Sequence, residues 1–202
     1  HPKECMTASL VIADNLRMDP AEAAAQRMAW LGTSGSGKSY GCGRYVEQLH
    51  PANIPVLILD TVGIWAALRL AADGKKPGLP FVIVGGEHAD VPLDLLRGAE
   101  LARFLITQNA SAVMDISDYD PQERAPFVAD LCTALLIEMK VKAIRRPRVV
   151  VFDEAQDVVP QIPGKGEARM CKSVSALIRK GRNHLCGTVI LSQRPADVSK
   201  SA

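Results

Sequence analysis

The chain is punctuated by short apolar runs that end in glycine or acidic residues, and longer segments of helical periodicity separate them. The runs are Met28–Leu31, Ile54–Leu59, Phe81–Val84, Ser111–Ile116, Val149–Phe152 and Gly187–Leu191. All six are only four to six residues long and several are rich in valine and isoleucine, as in strands buried on both faces of a parallel sheet. Between them the pattern predicts helices over 38–49 (ended by Pro51), 64–72, 93–107, 121–142 and 168–182. Asp118 or Asp120 would cap the fourth of these. Near the N-terminus, Val11 and Ile12 predict a short strand and Pro20 a short helical turn. Strands alternating with helices predict an α/β fold, a mainly parallel sheet with helices on both faces.

The first run leads into Gly32-Thr33-Ser34-Gly35-Ser36-Gly37-Lys38-Ser39-Tyr40. This is the full Gly-x-x-x-x-Gly-Lys-Ser pattern between an apolar strand and a helix start. Glycine at Gly32, Gly35 and Gly37 frees the backbone to come close to a ligand. Successive N–H groups and the helix dipole then favour an anion. Residues Gly32–Tyr40 are the expected phosphate cradle, with Lys38 reaching the β- and γ-phosphates and Ser39 on Mg²⁺.

The fifth run, Val149–Phe152, ends in Asp153-Glu154. Asp153 is placed to hold the Mg²⁺ shell beside Ser39. Glu154 is placed to polarise a water for in-line attack on the γ-phosphate, which favours hydrolysis over transfer to a small-molecule acceptor. Gln193, after the last strand, reads either as a γ-phosphate sensor or as an ordinary polar strand end. Arg179 and Arg182, at the end of the last helix, read either as basic residues complementing a helix dipole or as an arginine serving a neighbouring subunit's nucleotide. Asp60, at the end of the second run, reads equally as a ligand-edge acid or a turn cap.

Composition narrows the picture. At 202 residues the chain holds one α/β domain, large enough to bury a core without metal or disulfide. The five cysteines are scattered with no C-x-x-C pair, as in a protein of the reducing cytoplasm. The histidines show no metal-ligand spacing, and no apolar run is long enough to span a bilayer. Net charge is only +2, yet Lys140–Arg182 holds eleven Lys or Arg against four Asp or Glu, either a phosphate-facing surface or a solvated face. A start at His1 and an end in Ser-Lys-Ser-Ala read as a piece of a longer protein.

GTSGSGKS, ILDTVGIWAALR, VVVFDEAQD and RKGRNHLCGTVILSQRPADVS together resemble the HerA/FtsK group of P-loop ATPases, with the closest likeness to bacterial and phage HerA-like helicase-domain proteins. The resemblance covers about residues 25–200. It implies a RecA-like core with strand order 5-1-4-3-2 in residues 26–202, behind a short extension over 1–25. It implies ATP and Mg²⁺ as ligands, a homo-hexameric ring around duplex DNA, a nuclease partner in some relatives, and ATP-driven DNA translocation or unwinding. It assigns Lys38, Ser39, Asp153, Glu154 and Gln193 the roles given above, and Arg179 or Arg182 the trans-acting arginine. The loop 157–168, with Lys165, is a candidate channel-facing segment. The competing reading is an ATP-dependent switch or assembly factor that binds protein partners.

Overall fold

The computed structural model describes residues 9–13, 15–71 and 73–200. Cys5 lies outside them; Cys42, Cys132, Cys171 and Cys186 are all buried free thiols.

A small antiparallel hairpin, β1 (Leu10–Ala13) and β2 (Leu16–Met18), comes first. A one-turn helix, α1 (Pro20–Ala23), follows, with the Asp19 carboxylate accepting from the Ala21 and Glu22 amides. The main body is β3 (Arg27–Leu31), α2 (Lys38–Leu49), β4 (Val56–Asp60), a 3-10 turn at Trp65–Arg69, β5 (Val82–Val84), α3 (Gly98–Gln108), β6 (Ala112–Asp115), α4 (Pro121–Glu138), β7 (Arg148–Phe152), α5 (Ala168–Lys180) and β8 (Cys186–Ser192). The six strands of the main body pair in parallel in the order β3-β8-β7-β4-β6-β5.

The apolar runs form strands because both faces of the sheet are covered. Alternate residues of each strand enter opposite cores. Val149 and Val151 face α2, where Tyr45, Val46 and Leu49 pack with Leu10 of the hairpin. Val150 and Phe152 face a layer made by α3, α4 and α5. Helix α4 lies between α3 and α5 and is buried nearly all round. It meets α3 closely at Gly98, where a side-chain carbon would come within 2.6 Å of the Phe127 carbonyl.

The expected elements are present, with shifted ends. Asp120, not Asp118, caps α4, in a reciprocal box with Glu123. Helix α4 stops at Glu138, short of the expected 142, because Arg145 turns back and donates to the Met139 and Lys140 carbonyls. Helix α3 begins at Gly98, not 93, because Asp94 first closes a turn with the Leu96 and Arg97 amides. The segment expected as a helix over 64–72 is only a 3-10 turn. In the strand order, β3-β8-β7-β4 reproduces the 1-4-3-2 part of the expected arrangement. The sheet then continues with β6 and β5, and among the described residues no strand lies outside β3.

Candidate functional site

Parallel strands all present their carboxyl ends to the same edge of the sheet, and ligands of α/β folds bind at that edge. Here it carries the loop after β3, the acidic pair after β7 and the glutamine after β8. Strand β8 lies between β3 and β7, with Leu31 opposite Ser192 and Phe152 opposite Ile190. The three sequence signals are therefore brought to one place. Ser34, Gly35, Gly37, Lys38, Ser39 and Tyr40 line a cleft of about 370 Å³ together with Val62, Ile64, Asp153, Glu154 and Gln193.

The loop has the backbone its glycines predict. Gly35 and Gly37 have φ of 74° and 85°, and the space where a side chain would stand is open at both. Gly37 lies at the N-terminus of α2 with no side-chain cap, which leaves the first amides of the helix for an anion. At Gly32 a side-chain carbon would come within 2.6 Å of Ser36 Oγ, so Ser36 would have to turn away. The Lys38 ammonium donates to the Thr33 carbonyl at 3.0 Å, spanning the loop.

Asp153 is buried at the end of β7. Its Oδ2 accepts from the Trp65 indole N–H at 2.8 Å and its Oδ1 from the Glu154 amide at 3.1 Å. Burial pushes its carboxyl up to about 6; Trp65 opposes the rise, and the nearby charges of Asp60 and Glu154 add to it. Asp60 serves the turn that delivers Trp65. One of its oxygens accepts from the Val62 and Gly63 amides, at 2.9 and 2.8 Å, and the other from the Trp65 amide at 2.9 Å. Its acceptors are thus spent on the turn, which favours the capping reading of Asp60 over the ligand-edge one.

Glu154 sits in the left-handed backbone region, φ 43° and ψ 64°. That conformation costs a non-glycine residue about 1–2 kcal/mol. The carboxylate accepts from Gln156 Nε2 at 2.7 Å and from both the backbone and the side-chain amide of Gln193. Ser192 Oγ in turn donates to Gln156 Oε1 at 2.7 Å. Burial pulls the Glu154 carboxyl up, but these donors and the Lys38 charge prevail and hold it below the usual range. Glu154 is thus an ionised acceptor, fixed from two sides.

Arg179 and Arg182 are not brought to this cleft. They lie at the end of α5 and in the turn before β8, at the opposite edge of the sheet, and Arg179 Nε donates to the Ser175 carbonyl of its own helix. Sequence reading did not single out Val62 and Ile64 of the lining, nor two residues that hydrogen-bond the acids. Trp65 gave no local signal, since its partner is 88 positions away. Gln156 stands in VFDEAQD two places after Glu154, and that spacing across a tight turn was the available clue.

A cation fits this edge. Ser39 and Asp153 line the same cleft, and Asp153 is a buried carboxylate beside two further acids. Among the described residues no group of three or more His, Cys, Asp or Glu forms a metal site by itself. The arrangement therefore suits an ion that takes its remaining ligands from phosphate oxygens and water.

A parallel sheet with this loop at its carboxyl edge and an acidic pair two strands away is the fold of the P-loop NTPases, of RecA-like type. No family model and no curated protein matches the chain. Solved structures do. The genome packaging NTPase B204 of Sulfolobus turreted icosahedral virus 2, in complex with ATPγS, is 18% identical over 88% of this chain and 70% of its own, with a TM-score of 0.52. Its AMPPCP complex is 16% identical over 88% and 69%, with a TM-score of 0.53. At this identity the likeness speaks for the fold.

Proposed function

We propose that the chain is an ATP-hydrolysing motor subunit of HerA/FtsK type that acts as a ring on duplex DNA. The carrying observation is Glu154: a strained, ionised carboxylate next to the buried Asp153, held by Gln193 and Gln156 over the cleft that contains Lys38. A site that only binds nucleotide has no use for this arrangement, whereas hydrolysis needs a fixed acceptor for the proton of an attacking water. In this reading residues Gly32–Tyr40 cradle the phosphates of ATP. Lys38 moves from the Thr33 carbonyl to the β- and γ-oxygens. Ser39 and Asp153 hold Mg²⁺, which supplies charge neutralisation at the phosphates. Glu154 orients and deprotonates the water, and Gln193 couples Glu154 to the γ-phosphate position. Residues 26–202 are read as the ATPase domain and 1–25 as an extension of it.

Arg179 and Arg182 stand at the edge opposite their own cleft, so any service of either to a nucleotide would be in trans, to an adjacent subunit. The exposed loop through Lys165 lies on the nucleotide side of the sheet, where it can face the ring's channel. B204 is described as a genome packaging NTPase, a nucleic-acid-moving role compatible with this reading.

The test is ATP turnover as a function of protein concentration, with and without duplex DNA, using Glu154→Gln as the blank. Turnover that rises steeply with concentration, is stimulated by DNA and disappears in the variant is the expected result. Glu154-dependent turnover indifferent to DNA would replace the motor with a protein-binding switch.

A further inference from the structure

The sheet has a second edge, opposite the nucleotide cleft. Strands β7 and β8 are neighbours and start there together, with Arg148 opposite Cys186. The connection entering β7 (139–147) and the turn entering β8 (181–185) are therefore side by side. The first carries Lys140, Lys142, Arg145 and Arg146; the second, with the end of α5, carries Arg179, Lys180 and Arg182. All but Arg145 are exposed.

None of these cations is paired with a carboxylate among the described residues, where ion pairs engage other arginines. The acid nearest in sequence, Glu138, is taken by Arg103 at 3.2 Å. Behind the surface Arg148 is fully buried, and none of its three guanidinium nitrogens meets an acceptor. Burial disfavours its charge, so the field of the edge is set by the cations nearer the surface. His184 senses that field: partial burial first, then the charges of Arg145 and Lys140, push its imidazole below the ordinary value. It stays neutral while its neighbours carry charge.

From this juxtaposition we propose that the edge formed by 139–147 and 179–185 binds the phosphodiester backbone of duplex DNA. The inference rests on the motor reading for its purpose. Its chemistry favours phosphates: guanidinium and ammonium groups spread over two loops, with no acid among them, match a dense row of anions. No Phe, Tyr or Trp stands in either segment, so unpaired bases have nothing to stack on, which favours a duplex backbone over a single strand. The patch is also distinct from the Lys165 loop, which lies at the other edge.

The experiment measures binding of a labelled duplex to the full chain from 50 to 300 mM salt. Wild type, Lys142→Ala/Arg146→Ala and Lys165→Ala are compared, with thermal melting and ATP binding as controls for folding. Two lost phosphate contacts should weaken binding by roughly tenfold to a hundredfold near 0.1 M salt. They should also flatten the slope of log K against log salt by about 1.8. An unchanged slope in the folded double variant overturns the patch and leaves the motor reading intact, with Lys165→Ala then reporting on the other edge. Wild type that binds no duplex at any salt overturns both. A double variant that binds duplex normally, but loses the concentration dependence of ATP turnover, makes this edge a subunit interface and overturns the proposal.

Discussion

Asp153→Asn should make the protein more stable while removing its hydrolytic competence. At neutral pH the Asp153 carboxyl is ionised although burial has moved its proton affinity from an ordinary value of 3.8 to about 6. Each tenfold change in proton affinity is worth about 1.36 kcal/mol, so keeping this charge inside costs the fold about 3 kcal/mol. Asparagine has nearly the same shape but a single acceptor oxygen. It can serve the Trp65 indole or the Glu154 amide, not both, and the lost hydrogen bond returns about 1 kcal/mol. The net expectation is a gain of about 2 kcal/mol at pH 7, or roughly 4–8 °C in Tm for a chain of this size. The sign of the pH dependence follows. A carboxyl raised in the folded state contributes stability below its unfolded value, near 3.8, and loses it as pH rises through about 6. The difference between variant and wild type should therefore be small at pH 4, open between pH 4 and 6, and stay constant above 7. Differential scanning calorimetry across that range measures it. Addition of Mg²⁺ and a non-hydrolysable nucleotide should then stabilise wild type more than the variant. A variant less stable than wild type at pH 7, or an advantage of equal size at pH 4, would refute the reasoning, since either outcome means the buried charge is not a cost.

Three further outcomes follow from the same structure. Gln156→Leu removes the donor to Glu154 and the acceptor for Ser192 Oγ, so kcat should fall by up to about 100-fold while nucleotide affinity by fluorescence titration stays within about twofold. Arg148→Met replaces a buried guanidinium that has no acceptor with an apolar chain of similar length; chemical denaturation should show a gain of at least about 1 kcal/mol. Asp120→Ala breaks the capping box of α4 and should cost about 0.5–2 kcal/mol in the same assay, without changing the KM for ATP.

The parts of this molecule that were legible in the sequence are those specified by neighbours along the chain. A strand buried on both faces must be apolar throughout, so β4, β6 and β7 stood out within a residue or two of their ends. The phosphate loop is a backbone conformation, and its glycines announce it locally. What was not legible depends on partners far along the chain. Helix α4 ends where Arg145 folds back on it, and nothing in residues 121–142 alone marks that point. Trp65 read as one apolar residue of a helix, yet its indole holds the acid at the end of β7. Asp60 left two readings open because a free acid and a turn cap look the same in sequence; only the three amides converging on it favour the cap. The strand order shows the limit most clearly. Adjacency of β3, β8 and β7 brings the loop, the acids and the glutamine together, and it matches the order implied by resemblance. The placement of β6 and β5 beyond β4 does not, because crossover connections permit more than one position for a strand whose two faces are equally apolar. The nucleotide cleft needs only the first of these facts, which is why the site was more legible than the sheet that carries it.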